Sequence, residues 1–342
     1  MSHRADTLLM YGATDTGKTS QLGEIAKWYF AKTGKISRLI SADSGWDPIE
    51  HLVVSPQYAM GTPGPLGDPI CCEAWAIQGL ANPWVILVEL SEGAWPEAIS
   101  TPTGSRLRMK KAIWKDGFPL AMDGVHQIGQ YLIEGLATIA TVGMQDHINT
   151  ARGLAQEIVK PFQSAVGEVD ATGKESQRTL TLASASMSHY GQVQRWLLDD
   201  LVPRFGKLSV DRIVWTSHEG RGTDDINVNS AVLGPLVIGK AVADKTTQKF
   251  GHSFHMTVDT QSKQDLKAGK TWVERDFRAW FVSHPDETLK TMKWPAKVSL
   301  PISRAQELLK KFPGGFIPLN EKGMTQFLEF LEKAFPPEVP NA

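Results

Sequence analysis

Apolar runs alternate with segments of helical periodicity along this chain, and the alternation predicts an α/β protein. Residues 7–11 form a short apolar run typical of a buried strand. Residues 20–32 repeat apolar side chains at helical spacing and end before Gly34, which favours a helix there. A second strand is predicted at 38–42. Strands that alternate with helices in this way favour a mostly parallel sheet.

The rest of the chain extends this pattern with further strands and two glycine-rich segments. Buried strands are predicted at 84–90, 130–133 and 211–216, and antiparallel strands at 253–259 and 273–282. Residues 219–240 contain four glycines and are interpreted as a long loop. The predicted architecture is a mostly parallel sheet with a β-rich edge.

The division of the chain follows from where this pattern weakens. We predict a core at 1–285, with inserts at about 100–117 and 150–188. Residues 286–342 contain helices punctuated by proline and are predicted to form a short C-terminal helical appendage. The apolar stripe of its last helix is expected to pack on its own domain, because such a stripe must be buried somewhere.

Composition narrows the function classes. The formal net charge of the 342 residues is −1, so any contact with nucleic acid must come from a local patch. No apolar run approaches the roughly 20 residues that a membrane-spanning helix needs, and the first residues lack a signal-peptide pattern. The two cysteines are adjacent, which suits neither a disulfide framework nor a zinc site. We therefore expect a cytoplasmic protein without membrane association.

The chemistry of the chain is concentrated in a motif between the first strand and the first helix. The motif matches G-x-x-x-x-G-K-[ST], and with the next residue it comprises Gly12, Ala13, Thr14, Asp15, Thr16, Gly17, Lys18, Thr19 and Ser20. Its glycines let backbone N–H groups converge on phosphates, and the following helix points its positive end at them. The lysine can reach the β- and γ-phosphates, while the Thr19 hydroxyl can coordinate Mg²⁺. The motif predicts a P-loop that binds ATP and Mg²⁺.

Hydrolysis needs further groups, and each has a candidate at a predicted strand end. Asp43 follows the second strand and could polarise the attacking water, although Asp-Ser-Gly is also ordinary turn chemistry. Glu134 closes the 130–133 run and could hold the metal ion, unless it is a surface glutamate. His218 follows the 211–216 strand and could contact the γ-phosphate, or be a solvated histidine.

These landmarks, in this order, resemble the RecA-like P-loop ATPases, including the recombination proteins of bacteriophages. After the P-loop, ADSGWDP resembles the acidic segment of that family and YLIEGLATI its Walker B strand. SHYGQVQRWLLDDL looks like the helix after the first DNA-binding loop, and IVWTSHE like the strand of the γ-phosphate sensor. Glu134-Gly135 replaces the usual Asp-Ser, and the family's paired lysines have no clear match. The resemblance implies a RecA-like ATPase acting as a homo-oligomer, in the host cytoplasm if phage-encoded.

Basic side chains suggest single-stranded DNA as the partner. Five cations surround Trp114, a combination that suits a single-stranded backbone and its bases, although a solvated charge run is equally consistent. The predicted DNA contacts are Arg106, Arg108, Lys110, Lys111 and, in the 219–240 segment, Arg221. The first functional hypothesis is an ATPase of phage-type recombination or annealing. The alternatives are a DNA-packaging or translocation motor, and a nucleotide-binding structural protein with little turnover.

Overall fold

The computed structural model describes residues 6–42, 46–77, 83–101, 104–111, 119–141, 187–224, 227–236, 243–265, 270–286, 292–320 and 322–335. Its strands are β1 (Asp6–Gly12), β2 (Ser37–Ser41), β3 (Cys72–Ala76), β4 (Ala94–Thr101), β5 (Gly104–Lys111), β6 (Leu120–Asp123), β7 (Arg212–Asp224), β8 (Asn227–Pro235), β9 (His252–Asp265), β10 (Lys270–Trp280), β11 (His284–Pro285), β12 (Lys293–Trp294), β13 (Lys297–Val298) and β14 (Phe316–Pro318). Its α-helices are α1 (Lys18–Thr33), α2 (Pro83–Ser91), α3 (Val125–Thr141), α4 (Met187–Arg195), α5 (Val202–Phe205), α6 (Ala243–Gln248), α7 (Ile302–Lys311) and α8 (Thr325–Ala334). A 3₁₀-helix spans Asp47–Leu52, and a π-helix spans Trp196–Leu201.

One large sheet organises these elements, in the order β14-β10-β9-β1-β7-β6-β2-β3. The pairs from β9 through β3 are parallel, whereas β10 and β14 run antiparallel at one edge. The strand that leads into the P-loop, β1, lies between β7 and β9. The predicted α/β architecture, a mostly parallel sheet with a β-rich edge, is confirmed.

Alternate residues of β1 enter two separate cores, one on each face of the sheet. Leu8 and Met10 pack with apolar residues of α1 and α8, while Leu9 and Tyr11 pack with residues of α2 and α3. This is the burial expected of a strand covered on both faces, which explains the continuous apolar run in the sequence. None of the helices in the described part of the chain is long and apolar enough to cross a membrane.

The C-terminal segment joins the main fold through both a strand and a helix. Strand β14 pairs with β10, and α8 buries the apolar stripe noted in the sequence, apart from Phe335, against the face that holds α1. The Gln21 side chain of α1 accepts a hydrogen bond of 2.8 Å from the backbone N–H of Met324. The expectation that this stripe packs on its own domain is confirmed, while the division at residue 285 stays a prediction.

Three sequence-based assignments are wrong, each for a physical reason. The 84–90 run belongs to helix α2, which Pro83 opens at a position where proline costs no hydrogen bond. The 130–133 run lies inside helix α3, one face of which is buried. Much of the predicted 219–240 loop is a hairpin, because β7 continues to Asp224 and pairs with β8. The predicted insert at 150–188 lies outside the described residues, except for its last two.

Candidate nucleotide-binding site

The P-loop, residues 12–19, joins the end of β1 to the first turn of α1. Asp15 and Gly17 both adopt positive φ angles, 63° and 81°, as the chain turns back onto the helix. A Cβ atom at Gly12 would lie 2.2 Å from the carbonyl oxygen of Met256 on β9. The motif therefore needs glycine at its first position because the neighbouring strand leaves no room for a side chain.

Backbone carbonyl groups of the P-loop hold the Lys18 side chain in place. Its ammonium group donates hydrogen bonds to the carbonyl oxygens of Gly12, at 2.9 Å, and Ala13, at 2.6 Å. Only 9% of the residue is exposed. A buried cation at the start of a helix complements phosphate oxygens, as the sequence motif requires.

A buried carboxylate, that of Asp123, lies at the end of β6. The Thr19 hydroxyl donates to Asp123 Oδ2 at 3.1 Å, and the hydroxyl of Thr216 on β7 donates to Oδ1. The backbone N–H of Gly124 in turn donates to Thr216 at 2.9 Å. Asp123 is 3% exposed, and these contacts fix its orientation.

This donor set fits Mg²⁺. The ion prefers oxygen ligands and is usually bound by one or two carboxylates together with substrate phosphates. In P-loop proteins those protein ligands are the P-loop Ser or Thr and an acid at the end of a strand. Thr19 and Asp123 are such a pair, already in hydrogen-bond contact.

A cavity of about 400 Å³ opens at this point. One wall is the P-loop, contributed by Thr14, Asp15, Gly17, Lys18, Thr19 and Ser20. The second wall is formed by the end of β6, the middle of β7 and the start of α3, with Asp123, Gly124, His126, Thr216, Ser217 and His218. Pro48, Arg275 and Phe277 complete the lining. The cavity therefore combines a phosphate-binding loop, a carboxylate, two imidazoles and an arginine.

A row of polar side chains lies beside β1 on the sheet face opposite α1, with His255 buried and its partners partly exposed. His255 Nε2 contacts Glu219 Oε2 at 2.9 Å, and His255 Nδ1 contacts His284 Nε2 at 2.7 Å. His255 also stacks on Tyr11, the residue before the P-loop. Burial lowers the pKa of His255 even though Glu219 opposes the shift, and burial lowers the pKa of His284 to about 4. Both rings are therefore neutral at neutral pH.

The predicted P-loop residues and His218 meet in one place. Asp43 lies outside the described residues, although Ala42 before it donates its N–H to the carbonyl oxygen of Asp123 at 2.9 Å. Glu134 belongs to helix α3. Glu134 therefore does not follow a strand, whereas Asp123 ends β6 and contacts Thr19 of the P-loop.

The predicted DNA contacts lie on two hairpins. Arg106, Arg108, Lys110 and Lys111 belong to β5, which pairs only with β4 in the described part of the chain. Lys110 is exposed and forms an ion pair of 3.2 Å with Glu97. The Arg221 backbone belongs to β7, and the side chains of Arg221, Arg106, Arg108 and Lys111 lie outside the described part.

Sequence reasoning missed Asp123, His126, Thr216 and Arg275. Asp123 had a detectable signal, the segment PLAMDG, in which a short apolar run ends on Asp-Gly. The strand has only four residues and follows a polar connection, so the longer apolar run at 130–133 was the stronger pattern. The other three depend on contacts between elements distant in sequence, which no local pattern displays.

Comparison with known proteins adds a structural likeness only. No protein-family model matches the sequence, and no curated protein matches it. Among solved structures, the chain is similar to the flagellar accessory protein FlaH from Methanocaldococcus jannaschii, with a TM-score of 0.34 and 9% identity. The match covers 81% of this chain and 77% of that one. At this level the likeness assigns no function, and the functional case depends on the P-loop and its buried carboxylate.

Proposed function

We propose that this protein binds ATP with Mg²⁺ and hydrolyses it. The observation that supports this most directly is the hydrogen bond between Thr19 and Asp123, because it joins the P-loop to a buried strand-end acid. The P-loop N–H groups and Lys18 hold the phosphates, while Thr19 and Asp123 hold the metal ion. Bound Mg²⁺ neutralises charge on the β- and γ-phosphate oxygens.

Two further side chains complete this proposal. His218 lies on the strand adjacent to β1 and lines the cavity, where it can donate a hydrogen bond to the γ-phosphate. Asp43 follows β2, the strand adjacent to that of Asp123, and its carboxylate orients the attacking water. The reaction is attack by water on the γ-phosphorus, with cleavage of the bond to the bridging oxygen and release of ADP and phosphate.

The test is phosphate release by the purified chain, with Mg²⁺ and with the metal chelated, beside a titration with a fluorescent ATP analogue. We expect turnover only when Mg²⁺ is present. Tight binding without turnover under either condition would contradict hydrolysis and favour a nucleotide-binding structural protein.

We further propose that the protein is a RecA-like ATPase that acts on single-stranded DNA as a homo-oligomer, in phage-type recombination or annealing. The order of the motifs supports this. So does the β4–β5 hairpin, since basic residues occupy alternate positions 106, 108 and 110 of β5. The β7–β8 hairpin continues directly from His218, so contact with the γ-phosphate can bias its position. By linkage, DNA and ATP must then strengthen each other's binding by the same factor.

Anisotropy of labelled single strands tests the DNA proposal, with and without a non-hydrolysable ATP analogue. We expect tighter binding with the analogue and a steep loss of affinity as salt rises. The double variant Arg106→Ser/Arg108→Ser should weaken binding. Lys310→Ser/Lys311→Ser removes the same charge from helix α7 and should leave binding unchanged. Two results would contradict the proposal: no salt-sensitive binding in either state, or equal losses of DNA affinity in the two double variants. Light scattering measures whether the protein is an oligomer.

A further inference from the structure

His126 is a second histidine in the cavity, and no motif in the sequence identifies it. It lies in the first turn of α3, three residues after Asp123. Gly124, with a φ of 84°, turns the chain sharply between β6 and this helix. That turn brings the imidazole to the same cavity as Lys18.

The ring of His126 contacts the ring of His218 edge to face. Their centroids are 4.3 Å apart and their planes meet at 85°. His218 belongs to β7, so two independent elements bring two imidazoles to one wall of the cavity. The contact restricts both rings, which reduces the entropy lost when either binds a ligand.

Charged side chains of both signs line the cavity around this pair. Lys18 and Arg275 are cationic, and Asp15 and Asp123 are anionic. The Asp123 carboxylate is directed to Thr19 and Thr216. The N-terminus of α3 adds partial positive charge next to His126. An imidazole N–H in this setting is a suitable donor to a phosphate oxygen.

We propose that His126 is a further catalytic residue, which donates a hydrogen bond to the terminal phosphate of ATP beside His218. This rests on the proposed function and names a second group that recognises the γ-phosphate. Because negative charge shifts among the phosphate oxygens during transfer, such a donor stabilises the transition state as well as the bound nucleotide. Loss of the His126 donor should therefore lower kcat, and it should also lower the preference for ATP over ADP.

The test compares His126→Phe, which keeps the aromatic contact with His218 but has no donor, with His126→Asn and His126→Gln. The two amides place an N–H near the positions of Nδ1 and Nε2. We expect the ratio of affinities for a non-hydrolysable ATP analogue and ADP to fall roughly tenfold in the Phe variant. We expect kcat to fall by about tenfold to a hundredfold, with a smaller change in KM. At least one amide variant should recover part of both losses.

The control is His51→Phe, which changes a histidine outside the cavity that faces Asp68. Thermal unfolding of each variant reports any loss of fold. Wild-type values of the affinity ratio and kcat in His126→Phe would overturn the proposal. Equal losses in the Phe, Asn and Gln variants would also overturn it, since they would indicate packing alone. If the wild-type chain binds ATP without hydrolysing it, the proposed function fails, and the affinity ratio still decides the role of His126.

Discussion

Replacing Asp123 by asparagine separates the corrected site from the one that the sequence suggested. The substitution keeps the shape of the side chain and removes its charge. Thr216 accepts the N–H of Gly124 and donates to Asp123, so the amide oxygen should keep that contact. The amide nitrogen must then face Thr19, whose hydroxyl would act as an acceptor.

The magnitudes follow from this geometry. In the variant, the charge-assisted hydrogen bonds to the buried Asp123 side chain become neutral ones. The free energy of unfolding should therefore fall by about 1 kcal/mol. Turnover should fall much further, by roughly 10²–10³-fold, because one preorganised charge is lost at the reacting phosphate. The amide also competes for Thr19, so the Mg²⁺ concentration for half-maximal activity should rise.

The assay is ATP turnover across a Mg²⁺ series for wild type, Asp123→Asn and Glu134→Gln, with chemical unfolding of each. We expect Glu134→Gln to behave as wild type. If Asp123→Asn hydrolyses ATP at the wild-type rate with the same Mg²⁺ requirement, the assignment is refuted. A Glu134→Gln variant that loses as much activity as Asp123→Asn would refute it too.

Three further predictions address the loop, the water and acid stability. Lys18→Ala should abolish ATP turnover while circular dichroism shows an intact fold, and unchanged turnover would contradict the P-loop assignment. Asp43→Asn should still bind ATP but hydrolyse it at least about tenfold more slowly, and equal losses of affinity and rate would indicate a binding role. Burial lowers the pKa of His252 from 6.5 to about 4, so the unfolded chain binds more protons between these values and stability falls as pH decreases through them. That shift in pKa corresponds to about 3 kcal/mol of folding stability. In unfolding experiments from neutral pH down to about pH 4, His252→Gln should lose less stability than wild type.

The sequence was most informative where local chemistry determines structure. The P-loop needs its glycines and lysine at fixed spacing, so β1, the loop and α1 could be predicted together. The antiparallel pair β9 and β10 follows from alternating polarity over long strands. Short apolar runs were ambiguous, because WVILVEL and QYLI fit a strand or a buried helix face equally well.

The rest of the site could not be predicted because it is formed by tertiary contacts. Asp123 became recognisable only when β6 was placed beside β7, where Thr216 meets it. His126 depends on the direction that the chain takes after Gly124, and Arg275 on the pairing of β10 at the sheet edge. Polar residues after His218 suggested a loop, yet their backbone groups pair with β8.

The central position of β1 has a consequence for the order of events during synthesis. Asp6 pairs with Arg212, and Leu8 with His252, so both neighbours of the first strand are made much later. At about 5–20 residues per second, β1 must wait roughly 10–40 s for β7 to emerge. Until then its apolar residues lack their sheet partners, a period in which a chaperone can hold them. The contact between Gln21 and Met324 forms later still, because Met324 directly precedes α8 near the other end of the described chain.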